Sequence, residues 1–278
     1  RKNRFIAQQD NFEKIPGAPV AYWVSEKVYL LFDEKKISDY ADARSGMSTT
    51  DNARFLRYWT EVSYKNIRFG CKSLNEAATS NEKWYPYNKG GEFRKWYGNN
   101  TYIVNWFKDG EEVKYWVTHN PKDPNTISWS RRIFATDCFF LPGITWSSVT
   151  MGDFSCRCYN AGFIFDSGAN GMFAFDFKNR YYLAALLNTS LSSKIIKIIN
   201  PTINNGPGTI GKIPVIFKWQ KKDLVDSITA ACIRVSQSDW DSFETSWDFQ
   251  IHPFVRYAHE QNMLRISDCF RVWQQECE

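Results

Sequence analysis

Asn81-Glu-Lys-Trp-Tyr-Pro-Tyr-Asn-Lys-Gly-Gly-Glu-Phe-Arg-Lys-Trp-Tyr-Gly-Asn-Asn100 sets the reading of the whole chain. It mixes the rings of Trp84, Tyr85, Tyr87, Phe93, Trp96 and Tyr97 with the cations Lys83, Lys89, Arg94 and Lys95. Gly90, Gly91 and Gly98 lie between them, and glycine lets a backbone take positive φ and come close to a ligand. Cations beside aromatic faces suit phosphates and stacked bases. A buried strand has no need of that mixture, so the stretch reads as part of a nucleic-acid-facing loop.

Charge along the chain agrees with an anionic partner. Residues 1–222 carry 31 Lys and Arg against 20 Asp and Glu, whereas residues 223–278 carry 4 against 10. A basic body with an acidic end implies an anion for the first and a different task for the second. At 278 residues the chain is long enough for a sizeable core, and 12 Trp supply rings for core or contact surface. Its 7 cysteines are scattered without a Cys-x-x-Cys pair, and Cys156-Arg-Cys158 is too tight for a zinc knuckle. Reduced thiols, a cytoplasmic location and no metal are expected. No signal peptide or membrane span is visible, and Arg1-Lys-Asn-Arg4 without Met reads as the start of a piece cut from a longer protein.

Outward from the central stretch, residues 1–19 read as a linker, ending in Ile15-Pro-Gly-Ala-Pro19. Val20–Val24 and Val28–Phe32 are short apolar runs, and Ile37–Ala43 suits a helix. Thr50 or Asp51 offers a cap for a helix whose Phe55, Trp59 and Val62 share a face. The turn before it presents Thr49, Thr50 and Asn52, with Arg54 following; free backbone N–H groups at such an end suit phosphate. Thr101–Phe107 and Val113–Val117 read as strands joined by the turn Lys108-Asp-Gly110. Ser128–Phe134 and Phe139-Phe140 read as further strands.

Leu141–Gly152 is a second informative loop. It holds no charge, and Ser147, Ser148 and Thr150 surround Trp146 with groups suited to base edges. Arg157 follows. Phe163–Phe165 and Phe173–Phe177 read as strands flanking the turn Ser167–Gly171. From Phe177 to Lys222 there are eight basic residues and no acid. Tyr181–Leu187 and Leu191–Ile199 form a helix pair with a stripe of Leu183, Leu187, Leu191, Ile195 and Ile198. Asn204 lies in the glycine-bearing loop 202–211, Lys212 follows it, and Ile213–Phe217 reads as a strand. The acidic end reads as helices: Leu224–Val235, one capped by Ser238 or Asp239, and Phe254–Cys277. Its tryptophans suggest packing against a partner domain.

Several chemistries lack their residues. Methylation of a base amine uses an Asn/Asp-Pro-Pro-aromatic loop and a Gly-rich loop after a strand, and the chain has no Pro-Pro. No Walker loop or nucleophile elbow is present. Glu92 with Glu112-Val-Lys114 fits a nuclease metal site loosely.

Lys14–Trp23, Thr49–Phe55, Trp84–Gly98, Leu141–Ser148 and Asn200-Pro-Thr202 together resemble the PglX (BrxX) family, adenine-specific DNA methyltransferases of bacterial BREX phage-defence systems. A Gly commonly follows the Thr at the Thr49 position in that family, and here it is Thr50. The resemblance implies that the catalytic domain, with S-adenosylmethionine, lies upstream, and that this chain is similar to a target recognition domain. The expected fold is α+β: a mixed twisted sheet with flanking helices over 20–222, then a helical acidic part over 223–278. The expected function is recognition of double-stranded DNA that positions an adenine for the absent catalytic domain. Phosphate contacts are expected from Lys89, Arg94, Lys95, Arg157 and Lys212, near the backbone of Gly90 and Gly91. Base-edge contacts are expected from Thr49, Asn52, Trp146, Ser147, Ser148 and Asn204, with Trp146 equally suited to packing. The alternative is an interaction module that docks other BREX proteins and binds DNA without sequence preference.

Overall fold

The computed structural model describes residues 8–263 and 265–277. Residues 1–7 of the expected linker, Leu264 of the expected last helix and Glu278 lie outside the described residues. The chain runs α1 (Asp10–Glu13), α2 (Glu26–Leu31), β1 (Ala41–Arg44), α3 (Asn52–Phe55), β2 (Leu56–Tyr58), α4 (Leu74–Thr79), β3 (Trp84–Asn88), β4 (Tyr102–Asn105) and α5 (Phe107–Thr118). It continues with β5 (Gly143–Ser147), β6 (Cys156–Tyr159), β7 (Ile164–Phe165), β8 (Ala169–Ala174), α6 (Arg180–Leu187), α7 (Ser190–Ile199), α8 (Pro207–Ile210), α9 (Lys222–Trp240), α10 (Pro253–Glu260) and α11 (Ile266–Cys277).

The fold is α+β, and its strands form two four-stranded sheets. The first, in order β1-β8-β5-β6, is antiparallel throughout. The second, in order β2-β4-β3-β7, has one parallel pair, β3 with β7. The opening stretch therefore starts as a strand and not as a loop. Tyr85 and Tyr87 are buried in the second core, and β7 meets β3 only at Tyr87 and Asn88. Pro86 thus sits where one side of β3 has no partner to ask for a donor, the position a strand tolerates proline.

The first core packs Ile144, Trp146 and Met172 of the first sheet against Leu183, Leu187 and Ile195 of α6 and α7. The expected stripe on this helix pair is core, with Leu191 and Ile198 at its margin. Thr189 caps α7, its Oγ1 accepting from Ser192 N at 3.1 Å. The second core gathers Phe55, Tyr85, Tyr87, Val104, Val113 and Phe165.

Sequence periodicity misled in several places. Lys108, Asp109 and Gly110 do take positive φ, as turn chemistry demands, but a helix follows them and no hairpin forms. Val113 and Val117 are buried one helical turn apart, so the segment after the turn buries a helix face. Asp51 caps α3, accepting from Arg54 N at 3.1 Å, yet the helix ends after four residues. Leu56–Tyr58 leaves it to pair with β4, where the Tyr58 and Tyr102 rings stack at 4.8 Å. Ile37–Ala43 divides into a short 3-10 turn and β1. Ser128–Phe134 holds a 3-10 turn at Trp129–Arg131, Phe139-Phe140 follows another at Thr136–Cys138, and neither segment forms a paired strand; Ile213–Phe217 joins neither sheet. The loop 141–152 contains β5, and β8 begins inside the expected turn Ser167–Gly171.

The acidic end folds against this chain's own body. A single helix, α9, passes the expected cap at Ser238 and Asp239 and lies along α6, and its Ile233 packs on the first core. Trp59 Nε1 donates to Thr245 O at 3.0 Å, and the Trp247 ring meets Phe69 and Phe163. The segment expected as one helix over Phe254–Cys277 is the pair α10 and α11.

Candidate nucleic-acid interface

The loops singled out in the sequence converge on one turn, Asp166-Ser-Gly168. Asp166 is buried, and its Oδ1 accepts from Gly168 N at 2.6 Å, which closes the turn. Its Oδ2 accepts from Tyr87 OH at 2.8 Å and from Lys89 Nζ at 2.6 Å. Burial first, and the Asp166 charge second, push the Tyr87 phenol well above its usual pKa, so it stays a donor. Met47 pairs with this turn through Ser167 N, which donates to Met47 O at 2.9 Å. Ser148 N donates to Gly168 O at 2.9 Å, and Ser148 Oγ donates to Ser167 O at 3.0 Å. The segments at 46–50, 88–91 and 147–148 are therefore held on one anchor. A side chain at Gly46 would overlap the Phe165 carbonyl, so only glycine allows that approach.

The loop after β5 is tied at its far end too. Thr150 N donates to Ile203 O at 3.0 Å and Asn205 N to Ser148 O at 2.6 Å, which adds the 200–206 loop. On the other side, Ser147 Oγ donates to Gly91 O at 2.9 Å across a cleft of about 230 Å³. The Trp84–Gly98 and Leu141–Gly152 stretches, distant in sequence, form the two walls of that cleft.

The expected contact residues divide by orientation. Asn52, Gly91, Asn204 and Lys212 are exposed, as is Arg54, whose guanidinium lies over the Trp116 ring at 4.6 Å. Thr150 and Ser147 are partly exposed at the cleft, and Gly90 takes φ +89° beneath it. The others face inward. Trp146 is fully buried and its Nε1 donates to Asn205 O at 2.7 Å, so packing is its role here. Ser148 is spent on the Asp166 turn, and Thr49 is buried with its Oγ1 donating to Asn52 Oδ1 at 2.7 Å. Lys89 is held by Asp166, and Lys95 Nζ donates to Asn188 O at 2.8 Å. Arg157 is 3% exposed, and burial lowers its guanidinium pKa to about 10. The nuclease constellation does not assemble: Glu112 takes Lys83 and Asn105 as partners, and Lys114 takes Asp109.

Arg94 is the clearest reversal. It pairs with Asp239 of α9, its guanidinium lies over the Trp240 ring at 5.0 Å, and its Nε donates to Tyr97 O at 3.0 Å. It is a latch for the acidic end. Arg94→Ala is expected to cost about 1–2 kcal/mol, the sum of a partly exposed ion pair and a cation–π contact. Limited proteolysis should then cut sooner around α9; a cleavage pattern like that of the unaltered chain would refute the latch.

Thr50 sits at φ +58°, a conformation that suits glycine and strains a β-branched residue. Its Oγ1 accepts only a long bond, 3.4 Å, from Asn120 Nδ2. Relief of strain less the extra unfolded-state freedom of glycine predicts that Thr50→Gly stabilises by about 0.5–1 kcal/mol. A lowered melting temperature would contradict this.

Sequence reasoning missed Asp166, although Asp-Ser-Gly is a recognisable Asx-turn signal. Among the described residues no group of His, Cys, Asp and Glu is placed to hold a metal ion. No helix among them is long and apolar enough to cross a membrane.

Comparison with known proteins agrees with the family resemblance read from the sequence. Over 277 residues, 99% of its length, the chain is 35% identical to the adenine-specific methyltransferase PglX of Lacticaseibacillus casei (strain Zhang). The chain resembles PglX over nearly its whole length. It is also 32% identical over 264 residues to the adenine-specific methyltransferase BrxX of Escherichia coli O9:H4 (strain HS). The match spans only 22% of that PglX and 20% of that BrxX. No family model matches the chain.

Proposed function

We propose that this chain is a DNA target-recognition region of an adenine-specific methyltransferase in a BREX phage-defence system. The observation that carries the reading is the convergence of loops 46–52, 88–98 and 147–154 on the Asp166 turn, which links β7 of one sheet to β8 of the other, with loop 200–206 tied to them through Ser148 and Thr150. A rigid scaffold that brings loops from distant parts of the chain to one place is how recognition surfaces are built. Likeness to PglX and BrxX supports the enzyme class. Catalysis, and S-adenosylmethionine, belong to another part of the protein.

Residues 20–222 supply the recognition surface, and 223–278 brace it. Phosphates are met by exposed cations: Arg54 in α3 after the 46–52 turn, Lys122 and Arg131 close in sequence to Asn120 and Arg132, which bond that turn, and Lys212 after the 200–211 loop. Base edges are met by Asn52, Ser147, Thr150 and Asn204. The target adenine is turned out into the catalytic part, so unstacking is shared between them.

The test is fluorescence anisotropy of the chain with a randomised duplex pool, titrated with salt. Binding should fall linearly in log[salt], and Lys212→Ala should reduce the slope by about one unit. Absence of binding at low salt, with the chain folded, would overturn the reading. One observation favours a second reading, a protein-interaction module: Leu224, Ile228 and Val235 form an exposed apolar stripe on α9. Leu224→Glu with Val235→Glu should then abolish co-purification with other BREX proteins and spare DNA binding.

A further inference from the structure

The stretch that looks most basic in the sequence presents an acid to solvent. Between Lys89 and Lys95 every cation is engaged: Lys89 by Asp166, Arg94 by Asp239, and Lys95 by the Asn188 carbonyl. Glu92 is exposed, and among the described residues its carboxylate has no ion-pair or hydrogen-bond partner. It sits at the tip set by Gly90 (φ +89°) and Gly91 (φ +135°), and Asn99 Nδ2 donates to its backbone carbonyl at 3.0 Å. Its backbone is therefore held while its side chain is free. Beside it Phe93 is 62% exposed, and Met151 on the facing wall is 94% exposed. Ser147 and Thr150 line the same cleft, and Asp153, its other carboxylate, is paired with Lys197 at 3.0 Å.

A carboxylate facing a phosphate backbone would be repelled, so this cleft is unsuited to gripping phosphate. The chemistry it does fit is a base edge. A carboxylate accepts from the exocyclic amine of a base, above all cytosine N4, and apolar side chains such as Phe meet the thymine methyl. We infer that the cleft between Phe93 and Met151 reads an amine-bearing base in the major groove, with Glu92 as the acceptor that determines specificity there. This rests on the DNA-recognition reading and adds to it the residue and the class of base. Base readout here is thus assigned to the one charge in the loop that the fold leaves unpaired, and the cations around it serve the fold.

The experiment is selection of bound duplexes from a randomised pool by the whole chain, for the unaltered protein, Glu92→Gln and Glu92→Ala. The unaltered chain should select a site with one position restricted to cytosine or adenine. Glu92→Gln should move that position towards adenine, because an amide can both donate to N7 and accept from N6. Glu92→Ala should lose about tenfold or more of the discrimination there and leave the other positions and the salt slope unchanged. Melting curves check that both variants fold, as the exposure of Glu92 leads one to expect. If all three proteins select the same site with equal discrimination, Glu92 does not read a base, although the recognition reading survives. If the unaltered chain binds DNA without selecting any site, both inferences fall.

Discussion

Trp146→Ala is expected to lower the unfolding free energy by about 3–5 kcal/mol, the range for removing a buried large ring from a well-packed core. The ring is fully buried, packs near Phe154 with centroids 6.2 Å apart, and belongs to the first core. It also carries a second load. Its Nε1 donates to the carbonyl of Asn205, itself buried, at 2.7 Å. That bond pins the 200–206 loop against β5, and just past the end of that strand Val149 pairs with Asn204. Trp146→Phe separates the two contributions: most of the apolar area stays, and the loss should fall to about 1–3 kcal/mol for the orphaned carbonyl. Urea denaturation of both variants measures this. A Trp146→Ala protein that melts like the unaltered chain but loses DNA binding would restore the ring to a base-contacting role.

Asp166→Ala is expected to cost about 3–5 kcal/mol, because removal of one member strands the others as buried unpaired groups. Lys89 would lose its counter-charge and Gly168 N its acceptor at 2.6 Å. The Tyr87 hydroxyl has one proton to give, and would turn to Met47 O at 3.2 Å, a weaker geometry than the 2.8 Å bond to the carboxylate. Asp166→Asn keeps one oxygen, which can still accept from Gly168 N, and its NH2 can donate to a Tyr87 hydroxyl turned to Met47 O. Lys89 alone then loses its acceptor and counter-charge, so the variant should cost less than Ala. Hydrogen exchange offers a sharper readout than melting. In the Ala variant amides at Ser148, Ser167 and Ala169, all bonded within or onto the turn, should lose protection together. DNA affinity should fall with them. Protection retained at Ser148 would mean that the loops do not depend on this anchor.

Both predictions show where local sequence stops being informative. Trp146 lies in an uncharged, hydroxyl-rich run that reads equally as a loop or a strand. Its partners across the sheet, Asn170 and Cys156, decide the matter, and no periodicity within 141–152 contains them. Val113–Val117 was expected as a strand after a turn; the positive φ at Lys108 to Gly110 was legible, the direction of the chain afterwards was not. The α6–α7 pair and the core of α9 were legible because their apolar positions repeat at helical spacing over many residues. A cap at Thr50 or Asp51, which the structure gives to Asp51, and the stretches that form the cleft were legible from residue type alone.

Sequence by itself determined the α+β class, the long helices, the turns at glycine and Asx positions, and which loops carry polar and aromatic groups together. These depend on interactions between residues a few positions apart. Only the tertiary structure decided which charges those loops present. Lys89 meets Asp166, Arg94 meets Asp239, and Lys95 meets Asn188, partners separated by 77, 145 and 93 residues. A cation's availability depends on whether a distant acceptor is folded against it, and nothing in the run Lys89 to Lys95 encodes that distance. For the same reason the basic stretch turns its cations inward and leaves Glu92 facing out.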